Sequence, residues 1–359
     1  MCLHDMQKAF GIHCRTLFLH KPTTAQMKTH LLLLLALVLA TACVSPNQPI
    51  RLQGTAQGTY YSIAYLDPQN RDLQPQIDSL LNDFDLTASL WVENSLIRRV
   101  NRQEKVCPNA IFEKLLSQSL LIEEYTQGAF NCKIGSLVNL YGFGFKNRED
   151  ITPQQIDSLL NLIHHGECTI SGTPPTIILS EGIELDFNAI AQGYAVDLLA
   201  AMLESYGINS YLIDVGGEVI AKGTKNDGNS WTVGIERPAE NKYSSPEIET
   251  AIMLSNQAVV TSGNYRKYYE KDGVRYSHSI DPNTGRPVNH SLLSVSVVSS
   301  TATYADAMAT AFMVMGLEKS LQFIHDHPEN PDIQAVFFIY DNHGNYKTHA
   351  TPEFKKLIK

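Results

Sequence analysis

YLIDVGGEVIAKG, residues 211–223, reads as strand. So do SWTVGIERP (230–238), AIMLSNQAVV (251–260) and SLLSVSVVSS (291–300), while TYADAMATAFMVMG (303–316) begins a helix and AVFFIYD (335–341) closes with a further strand. Strands therefore dominate after residue 210, and helices enter without strict βαβ alternation. Upstream, GTYYSIAYL (58–66) looks like a strand, and residues 73–84 place Leu73, Ile77, Leu80, Leu81 and Phe84 at helical spacing. Residues 109–127 predict a second helix stopped by Gly128, and Thr152-Pro153 is a helix-start pair opening 151–163. TIILSEGIELDF (176–187) reads as a hairpin around a Glu-Gly turn. The expected class is α+β, with mixed, largely antiparallel sheets and packed helices.

The chain has 359 residues, 43% hydrophobic and 18% charged, which is enough for a sizeable core. A formal net charge of −9 argues against nucleic acid as a main partner. The ten-residue apolar run LLLLLALVLA (31–40) is too short to span a bilayer and fits the core of a secretory leader. Small residues lead directly into Cys43, the bacterial lipoprotein cleavage pattern, with Ala40 and Leu39 where a leucine is usual. Met27-Lys28 supplies the short basic start of such a leader. The true start is therefore placed at Met27, residues 1–42 are read as an upstream extension plus signal peptide, and 43–54 as a tether. Residues 55–359 form the folded domain, with a division into two lobes near residue 170. Beyond Cys43 the chain retains Cys107, Cys132 and Cys168 with no CxxC pair, which predicts neither a disulfide framework nor a zinc site.

Five stretches hold residues suited to chemistry. SHSIDPNTGRP (277–287) is a tight loop by its Asp-Pro and Thr-Gly signals, and His278 stands just before it. In STATYADAMATAF (300–312), a helix starting after Thr303 places Asp306 and Thr310 on one face, a carboxylate and a hydroxyl able to hold a hard cation such as Mg²⁺. Thr303 with Asp306 three residues later is equally a capping-box pattern. ELDFNAIAQGYAVDLL (184–199) runs a strand into a helix whose free N–H groups would favour phosphate oxygens; a plain β-to-α connection reads the same way. Gly193 within it permits close backbone approach. YTQGAFNCKIGSLVNLYGFGF (125–145) interleaves glycines with aromatics, suiting either a flat ring system or a packed loop. AVVTSGNYRKYY (258–269) ends a strand in hydroxyls and loop amides that could meet phosphate.

In this order the stretches resemble the ApbE family, the FAD:protein FMN transferases. Its segments are matched by GTAQGTYYSI, SLWVENSLIRRVN, GAFNCKIGSLVNLYGFG, LDFNAIAQGYAVD, DVGGEVIAKG, WTVGIERP, VVTSGNYRKYY, HSIDPNTGRP and ADAMATAFMVMG, from about residue 54 to 325. The resemblance implies a two-lobed, T-fold-related architecture. It implies Mg²⁺ ligands at Asp306, Thr310 and the Ala189 carbonyl. It implies FAD contacts at Gln57, Trp91, Ala129, Phe130, Asn131, Asp186, Gln192 and Ile280, and it places His278 at the catalytic loop. Several positions depart from the family pattern: Gln57 for methionine, Asn131 for aspartate, Gln192 for lysine or glutamate and Trp91 for tyrosine. The implied reaction transfers FMN from FAD to a Thr or Ser of an acceptor protein, with AMP leaving. His278, whose ordinary pKa lies near neutrality, is the candidate base for the acceptor hydroxyl. Two alternatives are Mg²⁺-dependent FAD hydrolysis to FMN and AMP, and a flavin-binding lipoprotein without turnover. The usual acceptors of the family are subunits of membrane redox pumps. The expected location is the bacterial cell envelope, lipid-anchored on the periplasmic side, the inner membrane favoured over the outer.

Overall fold

The computed structural model describes residues 48–142, 151–238, 247–264, 268–271, 274–277 and 279–359. The leader, Cys43 and His278 lie outside the described residues. The frame is one eight-stranded sheet: β1 Ile50–Ala56, β2 Thr59–Tyr65, β3 Tyr211–Val215, β4 Glu218–Lys222, β5 Gln257–Gly263, β6 Leu292–Ser299, β7 Ala335–Asp341 and β8 Tyr346–Ala350. Spatial order follows chain order, and every neighbouring pair is antiparallel. The α+β expectation holds. The opening stretch of the sequence becomes the β3–β4 hairpin in the middle of this meander.

Nine helices are described: α1 Gln74–Ala88, α2 Leu96–Asn101, α3 Ala110–Tyr125, α4 Gly135–Leu140, α5 Pro153–His165, α6 Ala191–Ser205, α7 Ala302–Met315, α8 Leu317–Asp326 and α9 Pro352–Leu357. The period-two pattern of the strands sends alternate residues to two cores. Ile63, Ile213, Ile220, Val260, Val297 and Phe338 face the helical layer; Ala64, Val219, Val259, Val298, Phe337 and Ile339 face a thinner layer. That second layer is α9 and a separate hairpin, Trp231–Glu236 with Ile248–Leu254. A register shift at Leu292/Ser294 lets Leu292 and Val295 share one face. The helical-side core runs continuously from Tyr61 to Phe338, across residue 170.

Helix α7 is apolar on nearly all sides, with Ala305, Ala307, Met308, Ala309, Ala311 and Phe312 buried, as a central helix must be. It begins earlier than the sequence pattern suggested. Thr301 is the cap, its side chain accepting Tyr304 N–H, and Thr303 lies inside the first turn. Asp197 on α6 supplies the reason: its carboxylate takes the Ala302 and Thr303 N–H groups, both at 2.9 Å. The capping-box reading of Thr303 with Asp306 is thereby excluded.

Two strand expectations also change. Thr176–Leu179 pairs upstream with Cys168–Ser171, not across the Glu-Gly turn. The reversal sits at Gly172, at φ 94°, where glycine carries no side-chain penalty. AIMLSNQAVV is two strands, broken at Asn256 with φ 56°, and the halves join different sheets. The second and third helices of the sequence pattern stand as read. Asn109 and Thr152 cap α3 and α5 respectively, the latter in a full capping box with Gln155.

Candidate functional site

The site is built on the crossing of α6 and α7. A Cβ at Gly193 would fall on the Ala302 carbonyl and lie 2.8 Å from Asp306 Cβ, so only glycine allows the two first turns to touch. The Gly193 N–H donates to Asp306 Oδ2 at 3.0 Å. Asp306 is buried, and Gly193 is its one hydrogen-bond donor among the described residues. Burial pushes its carboxyl well above the ordinary carboxylate range, the Gly193 bond opposing and Asp197 adding to the shift. One turn along α7, Thr310 Oγ1 lies 3.4 Å from Ser262 Oγ at the end of β5.

Ala189 occupies the turn leading into α6, four residues before Gly193. Asp186 opens that turn, its Oδ1 accepting Asn188 N–H at 2.8 Å. The expectation of free N–H groups at this helix start is not met at three positions. Ile190 and Ala191 N–H donate to the Phe187 carbonyl, and Gly193 N–H goes to Asp306. The chain entering the turn is clasped by Asn101, which exchanges two hydrogen bonds with Leu185, at 2.7 and 2.8 Å.

A second wall comes from residues 128–135. Asp186 N–H donates to the Cys132 carbonyl and Gly135 N–H to the Glu184 carbonyl, at 2.8 and 2.9 Å, so the two stretches run side by side. Cys132, which follows Ala129, Phe130 and Asn131 in the chain, is thereby held against Asp186. The Phe130 side chain itself is core, 1% exposed. Asn131 is tied to Glu123 and to the Lys133 N–H.

The 280–287 loop closes against this wall. Asn283 Nδ2 donates to the Gln127 carbonyl at 3.2 Å, and a Cβ at Gly128 would lie 2.9 Å from Asn283 Oδ1. Asp281 holds the turn by accepting Asn283 N–H, Thr284 Oγ1–H and, through its carbonyl, Gly285 N–H. Tyr141 donates to the Gly285 carbonyl. Ile280 packs its side chain with Leu137, Ile156 and Ile163, so any ligand contact there falls to its backbone.

The remaining wall is the end of the sheet. Gln57, at φ 53° in the β1–β2 turn, gives its N–H to Asp85, and both its amide atoms are buried without a hydrogen-bond partner among the described residues. A Cβ at Gly216, in the β3–β4 turn, would meet Gln192 Nε2 at 2.6 Å and Thr59. Gln192 thus reaches from α6 to the β3–β4 turn. An open groove of about 460 Å³ between β1 and α1 runs up to Asp85. Trp91 is 69% exposed on the loop between α1 and α2. Burial raises the Cys132 thiol well above its ordinary value and Cys168 to about 11, which keeps both protonated and unreactive.

The fold is thus an antiparallel meander backed by helices, with a carboxylate, hydroxyls and backbone groups gathered at the α6–α7 crossing. Residues 57–337 match the model of the ApbE family. A Vibrio cholerae protein named FAD:protein FMN transferase is 33% identical over 341 residues, 92% of this chain and 99% of its own length. An Escherichia coli protein of the same name is 31% identical over 349 residues, with 92% and 97% covered. The apo structure of the Pseudomonas stutzeri flavinyl transferase ApbE superposes with a TM-score of 0.75 at 30% identity, covering 86% of this chain and 97% of that one. The chain belongs to the ApbE family.

Asn101 and Asp197 were not singled out in the sequence, although both sit in segments that carry the family resemblance. Their signal is contact with backbone 84 and 105 residues away, which local patterns do not encode. The α6–α7 crossing yields a direct test. Gly193→Ala should cost about 1–3 kcal/mol by overpacking, read as a lower urea midpoint with an unchanged slope.

Proposed function

We propose that this chain is a FAD:protein FMN transferase. It cleaves the pyrophosphate of FAD and joins FMN through a phosphoester to a Thr or Ser hydroxyl of an acceptor protein. The acceptor oxygen bonds to the FMN-side phosphorus, the bond to the bridging oxygen breaks with its electron pair leaving on AMP, and the hydroxyl proton passes to a base. What supports the reading is the Gly193 contact of α6 with α7 and the bonds that tie Asp186 to Cys132 and the 280–287 loop to Gln127, in a chain of this family.

Mg²⁺ fits the donor set here. Asp306 brings a buried carboxylate with a single protein donor, Thr310 a hydroxyl and Ala189 a carbonyl, all hard oxygens. When bound, the ion neutralises pyrophosphate charge. The chain's own part is positioning, which is most of what phosphoryl transfer needs. Asp186 and the 129–131 loop orient the flavin half, and Gln57 and Gln192 line the sheet end. His278, three residues before Asp281 in the sequence, is the proposed base. Asp281 is itself committed to Asn283 and Thr284 and holds the loop. The leader and Cys43 support a lipid-anchored enzyme on the periplasmic side of the bacterial envelope, favouring the inner membrane, with a membrane redox-pump subunit as acceptor.

Asp306→Ala should abolish transfer and Asp306→Asn should leave little; a variant that melts lower yet keeps wild-type turnover removes Asp306 from the reaction. The buried carboxyl also sets a pH dependence. Its folded pKa lies above the unfolded value near 4, so its contribution to stability is complete at low pH and is lost as pH rises toward neutrality. Saturating Mg²⁺ at pH 7 should raise Tm in the wild type and leave Asp306→Ala unmoved.

His278→Ala should slow transfer roughly 10²–10⁴-fold with little change in FAD affinity, and should lose the rise in rate through pH 6–7. Wild-type rate in this variant makes the histidine structural.

For the anchor, intact mass of the membrane-extracted protein should show acylated Cys43, and Cys43→Ser should release the chain from membranes. A soluble mature form starting elsewhere contradicts the anchor.

A further inference from the structure

Behind the flavin wall, α3 and the following loop bury a small charged network that the reaction above does not use. Glu123 Oε1 accepts from Asn131 Nδ2 at 2.9 Å and pairs with Lys133 Nζ at 3.0 Å. Asn131 Oδ1 accepts the Lys133 backbone N–H at 2.8 Å. Asn131 and Lys133 are 7% and 8% exposed. The second Glu123 oxygen, Oε2, is buried with no hydrogen-bond partner.

The set is neutral: one carboxylate, one ammonium and one amide. Its geometry fixes the amide, because only Nδ2 can face the carboxylate and only Oδ1 can face an N–H. Position 131 therefore suits an amide and not an acid. An aspartate there would put a second carboxylate against Glu123 at hydrogen-bond separation, and two carboxylates so close do not both stay ionised.

We propose that Glu123 is a positioning residue for flavin binding: through one oxygen it fixes the Asn131 amide and the Lys133 ammonium and so holds residues 129–131 in the form that meets the flavin. The inference rests on the reading of this loop as a flavin contact. Glu123 touches the loop, and its effect passes through Asn131 and Lys133.

The test uses the full chain with three variants, Glu123→Gln, Asn131→Asp and the pair together. FAD dissociation constants are read by flavin fluorescence, with steady-state transfer kinetics and the Tm of the FAD-free protein. Each single variant should weaken FAD binding about tenfold or more, since each breaks a buried neutral set. The loss should fall on KM more than on kcat. The double variant again presents one carboxylate and one amide to Lys133, and should return to within about threefold of wild type. Single-variant losses that simply add in the double overturn the proposal. So does a Tm loss in Glu123→Gln with an unchanged FAD dissociation constant, which marks a structural ion pair only. If a single variant does not fold, the double carries the test, and failure of the folded double to bind FAD overturns the proposal. A wild-type chain that binds no FAD overturns the functional reading beneath it as well.

Discussion

The close approach of α6 and α7 at Gly193 is the constraint on which the site depends. No side chain fits between that backbone and Ala302, so the first turns of two helices from distant parts of the chain touch directly. Asp197 then caps α7 from α6, and Asp306 on α7 takes an N–H from α6. The two helices hold each other's ends, and the same contact buries a carboxylate with little compensation. Burying such a group is unfavourable unless a partner is bound.

Around this crossing the fold acts as a clamp for loops. The sheet contributes the β3–β4 turn, where Gly216 lies against Gln192 and Thr59. The Asn101 clasp and the parallel run of residues 132–135 against 184–186 fix the opposite wall. The 280–287 loop is then locked to Gln127 and Gly128 by Asn283 and to Tyr141 through Gly285. Groups on irregular backbone are thus held in fixed positions.

Much of this was legible in the sequence because it is written in local patterns. The strand-rich half after residue 210, the helices opening at Thr152 and near residue 110, and the free thiols followed from spacing and capping chemistry. The motif order pointed to the family, and Gly193 was readable as a close-approach position. What was illegible depends on distant partners. The start of α7 is set by Asp197, 105 residues earlier in the chain. The strand at 176–179 pairs with the upstream residues 168–171, and no local signal in the sequence separates that partner from the downstream one. Ile280 and Phe130 could be named from the motif, yet only the packed structure shows their side chains committed to the core. The helix-start amides looked open to phosphate until Phe187 and Asp306 were seen to occupy them.

The central claim concerns where the FMN goes. Purified chain, FAD, Mg²⁺ and a candidate periplasmic acceptor protein can be combined, and the products followed by in-gel flavin fluorescence and nucleotide chromatography. The account predicts an acceptor that stays fluorescent through denaturation, with one AMP released for each flavin attached. Free FMN and AMP with an unlabelled acceptor would make the enzyme a hydrolase, and unchanged FAD would leave only a flavin-binding protein; either result contradicts the account.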